Sequence, residues 1–218
     1  MMIKFHLSDD LLLSYSSGTL DEASSLLVAT HLALCPYCRT RNSSADSLGG
    51  YMLDTISETE VSPSLMASVI ARVRDESNNA KPLASPTLRP DFQIPEPLRS
   101  YVGGDLSDLK WVRVAPRVQQ IMIKTPGCAS QARLLRFQSG TSVPEHGHRG
   151  RELTMVLTGS LCDRERMLCR GDISESDEHT EHQPYAGPGE NCVCLAVTDA
   201  PLRFKSVLAR LLQPLFGI

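Results

Sequence analysis

The chain has 218 residues, 41% of them hydrophobic, and a formal net charge of −3; it can bury one large or two modest cores, and it lacks the long basic run that a direct grip on nucleic acid requires. The N-terminal MMIKFHLSDD has no basic start, apolar middle or cleavage site of a signal peptide, and no apolar run approaches the roughly 18 residues of a transmembrane helix, so no membrane partner and a cytoplasmic location are expected. Seven cysteines, an odd number with two close pairs, fit a reducing compartment and thiolate chemistry better than a disulfide framework.

From Ser8 to about Val73 the pattern is helical. Ser8 caps LLLSYSS, with Asp9 and Asp10 in the first turn and Gly18 as a left-handed stop. Thr19 and Glu22 read as a capping box for LDEASSLLVATHLAL. Pro36 suits the first position of a third helix running towards Tyr51 and Ile56, and Ser62 with Pro63 repeats that signal for a fourth. In the fourth, Met66, Val69, Ile70 and Val73 follow the i, i+3, i+4, i+7 rule. Such a stripe either packs on its own domain or meets a partner.

His31, Cys35 and Cys38 form H-x3-C-x2-C, close enough for one ion even across the break at Pro36. Soft thiolates with imidazole select zinc, which takes four ligands in a structural site. The fourth must come from elsewhere, and His6 is the other histidine of this half. Taken singly, CPYC fits a redox pair and His31 a buried core histidine, but a short helical half with a thin core needs a staple.

Between Asp75 and Pro97 the periodicity vanishes and five prolines stand among scattered Ser and Asn, which is linker chemistry. Beyond it the period becomes two: KWVRV, VQQIMIK, ARLLRFQ, LTMVLTG and NCVCLAVT read as strands of a small β-barrel or sandwich. The final PLRFKSVLARLLQPLFGI reads as a last strand followed by an apolar tail docked on the barrel. In PEHGHRGRELT, His146 and His148 point the same way along an extended segment, and Glu152 returns to that face after a turn. Cys192 and Cys194 share a face of their strand; Cys128, Cys162 and Cys169 show no ligand spacing. A small buried hydrophobe is the commonest role of a free cysteine.

His6 followed by His31-x3-Cys35-x2-Cys38 in a small helical domain resembles the zinc-binding anti-sigma factors. With the β-rich half, the whole chain resembles the ChrR family through HLSDDLLLSYSSGTL, VATHLALCPYC, EHGHRGRELTMVL, EHQP and TDAPLRF. Gly140-x5-His146-x-His148-x3-Glu152-x6-Gly159 matches the first cupin motif. In the second, starting at Gly171, His182 falls at the last metal histidine, although Asp177 and His179 replace the usual Pro and Gly and leave His179 as a rival ligand. The resemblance implies a multidomain α and β protein. Residues 1–75 are a zinc-binding helical anti-sigma domain of about four helices, 76–97 a proline-rich linker, and 98–218 a cupin barrel or sandwich holding metal through His146, His148, Glu152 and His182. It favours zinc in the barrel; iron, manganese and nickel suit the same ligands. The implied partner is a group IV, extracytoplasmic-function sigma factor kept from RNA polymerase core, and the implied signal is oxidative stress, singlet oxygen or organic hydroperoxide. The stripe from Met66 to Val73 is the candidate contact. The main rival is a dioxygenase-like cupin metalloenzyme with a helical targeting or dimerisation domain, and another is a metal store. No further acid, base or nucleophile pattern in the β half supports catalysis, so no enzyme is expected.

Overall fold

Helix α1 (Asp9–Ser16) starts where the Ser8 hydroxyl accepts the Leu11 N–H, and it stops at Gly18, whose φ of +69° suits a residue without a Cβ. The next helix, α2 (Glu22–Leu34), is capped by Asp21, whose carboxylate accepts the Ser24 N–H. The expected capping box on Thr19 does not form: its N–H and hydroxyl both donate to the Ser14 carbonyl and close the turn after α1. Asp21 adds a negative charge at the helix N-terminus, which a threonine cannot supply. Cys35 ends α2 and caps α3 (Pro36–Asp54), with Pro36 at its first position. Helix α4 is Leu65–Asn79. The computed structural model describes residues 2–79 and 92–205, so the expected apolar C-terminal tail lies outside the described residues.

A fifth helix, α5 (Glu96–Val102), was not expected from the sequence. Pro95 and Pro97 read as linker punctuation, yet proline is equally suited to the first turn of a helix. Ile94 and Leu98 are fully buried, and Gly103 in the left-handed region closes the helix. No helix among the described residues is long and apolar enough to cross a membrane.

The strands are β1 (Val112–Ala115), β2 (Val118–Ile123), β3 (Gln131–Phe137), β4 (His146–Gly147), β5 (Glu152–Thr158), β6 (Ser160–Asp163), β7 (Arg166–Cys169), β8 (Ile173–Ser176), β9 (Glu181–His182), β10 (Tyr185–Ala186), β11 (Cys192–Thr198) and β12 (Arg203–Phe204). The expected strands are β1, β2, β3, β5 and β11, together with β12 in the final PLRF; the remaining strands run two to four residues. A six-stranded antiparallel sheet has the order β1-β2-β3-β11-β5-β8, with small sheets β10-β6-β7 and β12-β4-β9. Gly159 turns β5 into β6 at φ +68°, where a Cβ would lie 2.6 Å from the Asn191 carbonyl oxygen.

Period-two alternation gives the large sheet two working faces. Leu134, Leu153, Met155, Leu195 and Val197 join Leu7, Leu11, Leu27 and Leu98 in one core cluster shared with the helices. Phe137, Val156, Cys192 and Cys194 face the other way, into a second cluster with Leu161 and Leu168. Helix α2 rests on β3, β5 and β11, and α5 rests on α2.

Candidate metal centres

The helical site forms where the α2–α3 junction meets the N-terminal extended segment. The ligand atoms of His6, His31, Cys35 and Cys38 all lie within 4.8 Å of one another. His6 Nδ1 is 3.3 Å from Cys35 Sγ and 3.7 Å from Cys38 Sγ. Zinc–sulfur bonds of about 2.3 Å and zinc–nitrogen bonds of about 2.0–2.1 Å place tetrahedral ligands about 3.3–3.8 Å apart, so the observed edges fit zinc. Three of the four residues are buried.

His31 is oriented for this role. Its Nδ1 donates to the Gly171 carbonyl at 2.9 Å, which leaves Nε2 as a bare lone pair, buried and without a partner among the described residues. Burial lowers the His31 pKa to about 4, against the opposing pull of that carbonyl, so the ring is neutral and ready to bind metal at neutral pH. Burial pushes the Cys38 thiol up to about 11; a bound cation reverses that preference, because a coordinating thiol loses its proton. The segment leading to His6 is pinned by Asp172, whose carboxylate accepts the N–H groups of Lys4 and Phe5 at 2.7 and 3.0 Å.

Inside the barrel, β4 and β9 pair His146 with His182 in register. The Nε2 atoms converge: His146 to His182 is 3.1 Å and His148 to His182 is 3.2 Å. All three rings are buried. His146 Nδ1 donates to the Pro144 carbonyl at 2.8 Å, and His182 Nδ1 lies 3.0 Å from Asp163 Oδ2. These partners fix the tautomer that turns each Nε2 lone pair inward. Burial lowers the pKa of His146 and His148, with Glu152 pulling the other way.

Glu152 lies beside this trio: one oxygen is 3.3 Å from His148 Nδ1 and the other accepts the Thr154 hydroxyl at 2.9 Å. It is not among the three residues whose ligand atoms share a 4.8 Å cluster. His179 points into solvent next to Glu178, which leaves His182 as the histidine inside. Asp163 was not foreseen. It is buried, and nothing in its spacing distinguishes it from any acid that precedes a hairpin turn; only the β6–β9 arrangement brings it to His182.

Cys192 and Cys194 are buried on the inner face with sulfurs 3.5 Å apart. Hydrogen bonding to Cys192 and burial hold the Cys194 thiol well above its ordinary pKa. Cys128, Cys162 and Cys169 are also free thiols.

A helical unit with a two-histidine, two-cysteine tetrad, packed on an antiparallel barrel with a histidine trio, defines a two-site metal-binding architecture rather than a single active-site cleft. Residues 100–201 match the family described as the ChrR cupin-like domain. The chain is 44% identical over 218 residues to the anti-sigma-E factor ChrR of Cereibacter sphaeroides, covering all of both proteins. It also matches the crystal structure of Rhodobacter sphaeroides SigE in complex with the anti-sigma ChrR, with a TM-score of 0.78 and 41% identity over 91% of this chain and 100% of that one. This chain belongs to the ChrR family of anti-sigma factors.

Proposed function

We propose that this chain sequesters a group IV, extracytoplasmic-function sigma factor in the cytoplasm, blocks its access to RNA polymerase core, and releases it under oxidative stress sensed through the barrel. The observation that carries this reading is an exposed apolar face. Every described residue from Asp46 to Asp75 is exposed, including Met66 at 70%, Val69 at 47%, Ile70 at 41% and Val73 at 60%. Tyr51 and Met52 in the last turn of α3, and Ile56 just beyond it, are exposed as well. Exposed large apolar side chains in such numbers call for a partner, and i, i+3, i+4, i+7 anchors are how a helix engages a groove. The relative solved with SigE supports a sigma factor as occupant.

Zinc in the helical tetrad would supply folding free energy to a unit with a thin core. In the barrel the proposed ligands are His146, His148, Glu152 and His182; family membership favours zinc there, and iron, manganese and nickel suit the same donors. The proposed division of labour assigns sigma binding to residues 1–75, connection to 76–97 and sensing to 98–218. A regulator, not an enzyme, follows from the family.

Transcription reconstituted with core polymerase and the cognate sigma factor tests this. Full-length protein and a 1–85 fragment should both inhibit; singlet oxygen should relieve inhibition by the full-length chain alone, and His148→Ala should inhibit without release. Moving sigma from mostly bound to mostly free needs on the order of 5 kcal/mol of coupling. If the fragment releases sigma as readily as the full-length chain, the barrel is not the sensor.

A further inference from the structure

The inner face of the large sheet bounds a cavity of about 620 Å³, within the roughly 300–1,000 Å³ range of small-molecule sites. Its walls are mainly apolar, with Leu135, Phe137, Val143 and Leu161 among them, and His146 and Glu152 of the histidine site line one part. Arg133 breaks the pattern. Alternation along β3 places it on the same face as Leu135 and Phe137, so its side chain enters the cavity wall. The residue is 2% exposed.

Its guanidinium is only partly satisfied. Nη2 donates to Gln131 Oε1 at 2.9 Å, whereas Nε and Nη1 are buried without a partner among the described residues. Glu152 attracts the group through space, but its carboxylate is engaged by the Thr154 hydroxyl and His148. Thr141, also in the wall and nine-tenths buried, has a hydroxyl with no partner among the described residues. Arginine cannot escape burial by losing its proton, and a buried charge lacking a partner is strongly destabilising. An arginine held this way is a standing demand for an anion.

We propose that this cavity binds an amphiphilic monocarboxylate, with the carboxylate on Arg133 and the apolar chain along Leu135, Phe137 and Leu161 towards Thr141. The guanidinium offers its free Nε and Nη1 hydrogens to one anion, and Glu152 in the same wall repels further negative charge, which selects a monocarboxylate over a phosphate dianion. The walls select an aliphatic body over a polar one. This assignment goes beyond sigma binding and does not depend on it.

Calorimetric titration of full-length, zinc-loaded protein with decanoate, 1-decanol and acetate tests the proposal. Decanoate should bind, decanol at least about tenfold more weakly, and acetate not at all. Arg133→Met should lower decanoate affinity by about tenfold or more while leaving decanol binding and metal content unchanged, and its melting temperature should rise because an unpaired buried charge is gone. Leu135→Trp, which fills the cavity and keeps the charge, should weaken decanoate and decanol alike. Equal affinity for decanoate and decanol, absence of decanoate binding, or undiminished binding by Arg133→Met would each overturn the assignment. Binding that survives Arg133→Met but disappears on chelation would identify the metal as the carboxylate acceptor, which also sinks it.

Discussion

His31 serves two neighbours at once, donating through Nδ1 to the Gly171 carbonyl and presenting Nε2 to the thiols. Burial lowers its pKa from 6.5 to about 4, so in protein stripped of metal the unfolded chain binds more protons across that window. Stability is therefore complete above pH 6.5 and falls as the pH drops towards 4, by about 3 kcal/mol in all; urea titrations at pH 7.5 and 4.5 under reducing conditions measure it, and equal midpoints would contradict the assignment. Cys38→Ser should lose zinc and sigma binding together, since the ion organises the α2–α3 junction. Asp163 holds the His182 ring, and Asp163→Ala should lower barrel metal affinity about 10- to 100-fold while leaving the helical zinc in place, as read by chelator competition.

At the scale of the element, α4 has all its described side chains exposed yet carries a regular apolar stripe. Val69→Glu and Ile70→Glu should change folding stability by less than about 0.5 kcal/mol, because neither side chain is packed. The same substitutions should weaken sigma binding by about 100-fold or more, near 3 kcal/mol, since they place a charge in the centre of the contact. Thermal unfolding beside a binding titration separates the two effects; a variant that binds sigma normally would move the contact elsewhere. Helix α5 is the opposite case, with Leu98 fully buried against the shared core. Leu98→Ala should cost about 2–5 kcal/mol in unfolding experiments and leave the α4 face intact.

Across the whole molecule, the helical unit and the barrel share a core and a set of polar ties. Asp172 holds the backbone just before His6, Gly171 holds His31, Ile173 donates its N–H to the Phe5 carbonyl, and Glu175 accepts from Ser8. Four residues between 171 and 175 thus bear on the helical unit, and two of them set the position of zinc ligands. A change in the barrel has a short physical route to the tetrad. Asp172→Ala should let a chelator strip the helical zinc faster than in the parent protein, with the barrel metal unaffected; identical stripping rates would show that this tie carries no coupling. The 1–85 fragment, which lacks Gly171 altogether, should hold zinc more weakly than the full chain.

The grouping of His31, Cys35 and Cys38, and of His146 with His148, was legible along the chain because short spacings place side chains on neighbouring turns or along one strand face whatever the rest of the fold does. The long strands and the apolar stripe of α4 were legible for the same reason, since periods of two and 3.6 are local properties. Helix α5, the tautomer-fixing Asp163, the tie between Gly171 and His31, and the partly satisfied Arg133 were not, because each depends on residues distant in sequence meeting across the packed sheet. Periodicity shows that a face is apolar or a residue charged. Only the tertiary packing decides whether that face stays exposed, as on α4, or is covered, as on β5, and whether a buried charge such as Arg133 finds its counterpart within the protein.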